Sequence, residues 1–235
     1  RLDQDQRRYY QRLNLNDAKL IRFVDPKLGN IFPVRNISYG GMLLQKGPLN
    51  SKDFKRLIQG KLVFMGDEIP AQIEIIHESD HNYGVRFIHE EADVLLFLRE
   101  KLEYVRFGDT LRPIPKSDYN ERYQDGTWEI LHGDGPVSLR VKYNSESSEK
   151  IDRFEMTIRP MEYATVLYEQ GKVREARMHE YAVHLKSEVV SEEFGLAPEL
   201  ARCAALIIMG IQQTDLRHRL DHFVPLLLQE AGISA

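Results

Sequence analysis

Three guanidiniums stand within six residues near the start of the chain, in Arg7-Arg8-Tyr9-Tyr10-Gln11-Arg12. A guanidinium is a planar fork that pairs bidentately with phosphate oxygens or with the O6 and N7 edge of guanine. Arg8 and Arg12, with three residues between them, are spaced to grip a phosphate and a base edge together when the segment orders around a ligand. Tyr9 and Tyr10 offer aromatic faces that stack on a base or pack on a neighbouring domain. The same composition also suits a solvated tail, so the cluster gains meaning only from a second feature.

That feature is Asn36-Ile37-Ser38-Tyr39-Gly40-Gly41, directly after the apolar run Ile31-Phe32-Pro33-Val34. Asn and Ser side chains stabilise tight turns by bonding to nearby backbone. Gly41 allows a positive φ or a close backbone approach. A turn of this kind at a barrel rim presents an amide, a hydroxyl and backbone N–H groups to an anion.

The elements that must hold these residues are legible around them. Short or alternating apolar stretches recur at 18–24, 31–34, 41–44, 61–64, 71–76 and 83–87, separated by Asp25-Pro26, Gly29-Asn30, Gly47-Pro48, Gly66-Asp67 and Asp80-His81-Asn82. Such spacing predicts an antiparallel barrel or sandwich. From Glu90 the period lengthens, and Val94, Leu95, Leu98, Leu102 and Val105 follow helical spacing with Gly108 as a stop.

Arg8-x-x-x-Arg12, the Asn36-x-Ser38-x-x-Gly41 turn and the strand Tyr83-Gly84-Val85-Arg86-Phe87, in that order, resemble the PilZ family over residues 6–107. The resemblance implies a six-stranded β-barrel with a closing helix that binds the bacterial second messenger cyclic di-GMP in motility or biofilm regulation. It implies that Arg8 and Arg12 contact phosphates and guanine edges, that Asn36 and Ser38 take a guanine edge, and that Gly41 shapes the turn. Arg7, the additional arginine before the motif, implies two intercalated ligand molecules. Arg35 and Arg86 are candidate supporting cations, with a solvated surface role as the other reading of each.

Residues 1–108 are therefore expected to form the nucleotide-binding barrel, 109–117 a proline-bearing linker, and 118–235 a mixed α+β accessory domain, making the whole chain α+β. In the second part, 128–131, 137–143, 154–158, 164–168 and 173–179 are strand-like, and Glu169-Gln170-Gly171-Lys172 predicts a hairpin. Two helices are expected to close the chain, with Leu200, Ala204, Ile207 and Ile211 on one face of the first. Leu216, Leu220, Phe223 and Leu227 line the second, which Pro225 should kink or shorten. These stripes suit the covering of a sheet, and equally a homodimer or a protein-partner surface. The familiar flagellar brakes carry their accessory domain ahead of the barrel, whereas here it follows.

The charge balance narrows the partners. The chain has 32 Lys+Arg against 36 Asp+Glu, but residues 1–108 hold 17 basic and 15 acidic side chains while the remainder is acidic. This argues against nucleic-acid polymers and leaves a dinucleotide open. No apolar run reaches the ~20 residues of a membrane span, so no membrane insertion is expected. A single Cys, Cys203, suits a reducing, cytoplasmic setting. His218 and His222 have the i, i+4 spacing of a metal pair but lack a third ligand. No cofactor and no metal are expected, and no nucleophile elbow or phosphate loop supports an enzyme. The alternative to a ligand-gated receptor is a PilZ-like adaptor that acts through protein contacts without nucleotide.

Overall fold

The computed structural model describes residues 13–14, 20–27, 29–46, 57–88, 92–133, 135, 137–147, 149–158, 164–177 and 192–233. The chain divides into two compact units, 1–103 and 104–234. It is an α+β protein.

Among the described residues, seven strands build the first unit: β1 (Leu13–Asn14), β2 (Ile21–Asp25), β3 (Asn30–Ser38), β4 (Gly41–Gln45), β5 (Leu57–Phe64), β6 (Asp67–Glu78) and β7 (Asn82–Phe87). Pairing runs β3-β2-β5-β6-β7-β4 and returns from β4 to β3, closing a six-stranded antiparallel barrel, while β1 adds a two-residue ladder to β3. Closure leaves no long unpaired edge among these six strands. Period-2 alternation sends Phe23, Val34, Ile37, Leu44, Leu62, Phe64 and Ile73 inward, where each is essentially inaccessible. The β5–β6 hairpin turns on Met65 at φ 48° and Gly66 at φ 91°, the two positive φ values of a type I′ turn.

Helix α1 (Ala92–Thr110) begins in this unit. Phe97 meets Phe64 edge-on at 6.2 Å, and Lys101 Nζ lies 2.9 Å from Asp67, so the helix anchors on the β5–β6 turn. It does not stop at Gly108. It runs to Thr110 because Gly108 lies where backbone meets backbone: a Cβ there would stand 1.9 Å from the carbonyl oxygen of Ile207. Residues 109–117, expected as a linker, instead hold the end of α1, the strand β8 (Arg112–Pro113) and the start of a 3₁₀ turn. Arg112 donates to the carbonyls of Asp109 (2.5 Å) and Leu111 (2.8 Å), supplying partners that helix-end carbonyls otherwise lack.

The second unit is a meander in which each strand pairs with the next: β8, β9 (Trp128–His132), β10 (Val137–Tyr143), β11 (Ile151–Ile158), β12 (Ala164–Glu169), β13 (Lys172–Arg177) and β14 (Glu192–Phe194). The β12–β13 hairpin is the one expected, with Gln170 and Gly171 at φ 52° and 79°. On one face an alternating ladder runs Arg140–Glu155–Arg153–Glu169–Arg174, with N···O separations of 2.8 to 3.6 Å. At the β8 side Tyr119, Tyr123, Trp128 and Ile130 pack together, and the Tyr119 hydroxyl accepts the Ile130 N–H at 3.0 Å. Tyr119→Phe should lower the stability of this unit by about 1–2 kcal/mol in urea unfolding, because it strands a buried N–H.

Three helices close the chain where two are expected: α2 (Pro198–Gly210), α3 (Thr214–Leu220) and α4 (Val224–Glu230), the last two joined by one 3₁₀ turn at Asp221–Phe223. Pro225 does not kink a helix. It lies in the first turn of α4, where its missing N–H would have no helical partner anyway. Phe223 carries the packing onto the sheet, at 5.1 Å from Phe154 and 4.4 Å from Tyr168. The apolar face of α2 is wider than a stripe. From Leu200 to Gly210 every residue except Arg202 is buried, which leaves α2 no exposed apolar face for a partner.

Candidate functional site

Strand β3 would lose its phase without a local irregularity. Phe32 and Val34 point inward, so strict alternation would turn Asn36 and Ser38 into the core and Ile37 out. Between Val34 and Asn36 the β3–β4 register shifts, and Arg35 is the extra, exposed residue of a β-bulge. After the bulge Ile37 is fully buried, while Asn36 and Ser38 are partly exposed on the barrel wall. The bulge therefore re-aims two polar side chains outward without breaking the core.

The strand then reverses over Tyr39-Gly40, with Ser38 paired to Gly41 and the Ser38 hydroxyl donating to the Gly41 carbonyl at 3.2 Å. The turn is tied to the neighbouring strand as well, since Phe87 N–H donates to the Gly40 carbonyl at 3.2 Å. Gly41 needs no positive φ; it needs room. A Cβ there would lie 2.1 Å from the Val85 carbonyl oxygen, on the backbone of β7. Gly41 thus permits the approach of β4 to β7 that completes the barrel. Gly41→Ala should cost the barrel about 2–3 kcal/mol, as overpacking against backbone does, whereas Gly40→Ala, with nothing within 4 Å, should be near neutral. Thermal melts of the two variants side by side make the comparison.

Across β4 the registered rows on the barrel wall are Ser38–Gly41–Arg86–Glu74 and Asn36–Leu43–Gly84–His77. Arg86 is the cation next to the turn, but two of its guanidinium nitrogens converge on one Glu74 oxygen at 2.5 and 2.6 Å. Its charge is therefore compensated in place. Nothing in the local sequence announces Glu74 as that partner, since the two residues meet only through the β6–β7 register.

Asn36, Ser38 and Gly41 are brought together at one rim. Arg7, Arg8 and Arg12, with Tyr9 and Tyr10, lie outside the described residues. Leu13, the residue directly after Arg12, pairs with Ile37, and Asn14 pairs with Asn36. The segment that follows the arginines is thus hydrogen-bonded to the strand that carries the turn.

The other sequence candidates do not assemble. His218 and His222 are both exposed, and the helix α3 ends between them. Among the described residues no group of three or more His, Cys, Asp or Glu could hold a metal ion. Cys203 is buried in α2. Among the described residues no helix is long and apolar enough to cross a membrane.

No protein-family model matches the chain, and no curated protein matches it. Among solved structures, an uncharacterized Legionella protein is similar over 41% of this chain and 95% of its own, with 22% identity and a TM-score of 0.34. A likeness of that size carries no argument about fold or function. The closed six-stranded barrel is compatible with the PilZ architecture that the motifs resemble.

Proposed function

We propose that the chain is a cyclic di-GMP receptor that acts by binding rather than by catalysis. The observation that supports this most is the bulge at Arg35, which turns Asn36 and Ser38 outward on the strand to which the continuation of the arginine segment is paired. Arg8 and Arg12 then supply the charge for the two phosphates and a fork for guanine, while Asn36 and Ser38 supply the neutral donors and acceptors for a base edge. Gly41 contributes indirectly, by letting the turn form against β7.

In this reading the arginine segment is the switch. Bound ligand holds the segment in one arrangement, which alters what the second unit or a protein partner meets. Arg7 favours two ligand molecules per chain.

Calorimetric titration of cyclic di-GMP into the full chain tests the reading, with the linear dinucleotide pGpG as the control for a generic anion effect. Saturable heat with cyclic di-GMP alone is the expected result, and the molar ratio at saturation reports one ligand or two. No heat overturns the receptor reading and leaves the barrel as an adaptor that works through protein contacts.

A further inference from the structure

A different site lies in the second unit, far along the chain from the arginine segment and independent of the nucleotide reading. Glu129 on β9 and Tyr143 at the end of β10 stand on the same face of the sheet, brought together by the Val141–Glu129 register and a bulge between Lys142 and Tyr143. The Tyr143 hydroxyl donates to Glu129 Oε2 at 2.5 Å. From α3, the Arg219 guanidinium lies over the Tyr143 ring, 5.1 Å from its centroid. The two charges share one tyrosine, yet among the described residues no ion pair joins them. Gln213, Thr214 and Asp215 complete the walls of a cleft of about 510 Å³, within the size range of small-molecule sites.

The parts around it are held firmly. Arg217 donates to the Met209 carbonyl at the end of α2 and to Asp221 at 3.0 Å, fixing the α2–α3 turn and so the position of Arg219. Burial first, and the bond to Glu129 second, push the Tyr143 hydroxyl well above its ordinary range. Tyr143 therefore stays a proton donor at any physiological pH, and its bond occupies one of the two Glu129 oxygens.

A cation and an anion held at one cleft through a shared tyrosine, with no direct ion pair between them, are complementary to a molecule that carries both signs a short distance apart. We infer that the Glu129–Tyr143–Arg219 cleft binds a small zwitterion of the α-amino-acid class. Its carboxylate forks onto Arg219, and its ammonium meets Glu129 and Asp215. Gln213 and Thr214 offer neutral hydrogen bonds to the remainder of the ligand. A carboxylate ligand without an amine would leave Glu129 and Asp215 facing it uncompensated, and an amine without a carboxylate would leave Arg219 so. Each single-charge analogue should therefore bind poorly.

Saturation-transfer NMR on the full chain, with a mixture of the common α-amino acids as the probe, tests this. Transfer to at least one amino acid is expected, with the N-acetyl and the carboxamide derivatives of that amino acid both weakened by about tenfold or more, since each lacks one charge-assisted contact. Arg219→Gln and Glu129→Gln should weaken the parent amino acid to the same degree. Tyr143→Phe, which keeps the ring and removes only the hydroxyl, carries the test if a charge variant fails to fold; it should loosen Glu129 and weaken binding. No transfer to any amino acid overturns the inference. So does binding that survives the site variants, or derivatives that bind as well as the free amino acid.

Discussion

Arg8→Ala/Arg12→Ala should abolish measurable binding of cyclic di-GMP to the full chain. Each charge-assisted hydrogen bond is worth about 1.5–3 kcal/mol once its partner is charged and positioned. Loss of one such bond from each arginine removes about 3–6 kcal/mol, which at 1.4 kcal/mol per decade is a fall of roughly two to four orders of magnitude. A ligand held at micromolar strength would then bind too weakly for calorimetry to detect. Ser38→Ala should behave differently. It removes a neutral contact and also the bond from Ser38 to the Gly41 carbonyl, so affinity drops by about tenfold and the barrel melts slightly earlier. Arg86→Ala is the informative contrast, because Arg86 is already paired with Glu74. If Arg86→Ala removes binding while the double arginine variant keeps it, the arginine segment is not the anion clamp and the receptor reading fails in its present form. Circular dichroism of each variant separates lost contacts from a lost fold.

Gly108→Ala should destabilise the second unit. Its Cβ would stand 1.9 Å from the Ile207 carbonyl oxygen, and the reciprocal substitution at Gly210 would stand 2.0 Å from the Val105 carbonyl oxygen. The two glycines mark one crossing, at which α1 and α2 touch through their backbones. A carbon and a carbonyl oxygen need about 3.3 Å between them. The helices must therefore separate by more than an ångström, and α2, buried on nearly every side, cannot move without opening gaps elsewhere. Replacing Gly by Ala inside a helix gains at most about 1 kcal/mol of propensity. Backbone overpacking typically costs 1–3 kcal/mol and occasionally more, so the loss should prevail. The expected outcome is a thermal midpoint lowered by about 5 °C or more, with Gly195→Ala, which meets nothing within 4 Å, as the neutral control. A midpoint that stays or rises would mean that α1 and α2 are not in backbone contact.

These two predictions differ in how far the sequence alone could have led to them. The arginine spacing and the Asn36–Gly41 turn are local patterns, and so are the strands around them. Period-2 runs bounded by Asp-Pro, Gly-Asn and Gly-Asp mark β2 to β7 to within a few residues, and Gln170-Gly171 marks its hairpin, because alternation and turn chemistry are set by neighbours along the chain. The short strands β8 and β14 carry no such pattern, being two and three residues long. They form because a partner strand is already there.

Gly108 and Pro225 show the limit more sharply. Each is a helix punctuator by its own chemistry, and each was free to end or bend a helix. Gly108 continues α1 because another helix needs its missing side chain, and Pro225 starts α4 because the chain has already turned at Phe223. The apolar spacing of α2 likewise specified a buried face, but the sheet, α4 and the crossing with α1 made the remaining faces buried too. The same holds for charge. The sequence determined that the chain carries a local arginine concentration, an outward-capable polar turn, and apolar alternation enough for a barrel. The tertiary structure decided that a bulge points that turn outward, that Glu74 neutralises Arg86, and that Glu129, Tyr143 and Arg219 meet at one cleft. Periodicity reports which face of an element avoids water; what covers that face, and which distant charge answers a given one, depends on contacts between residues that the chain brings together only by folding.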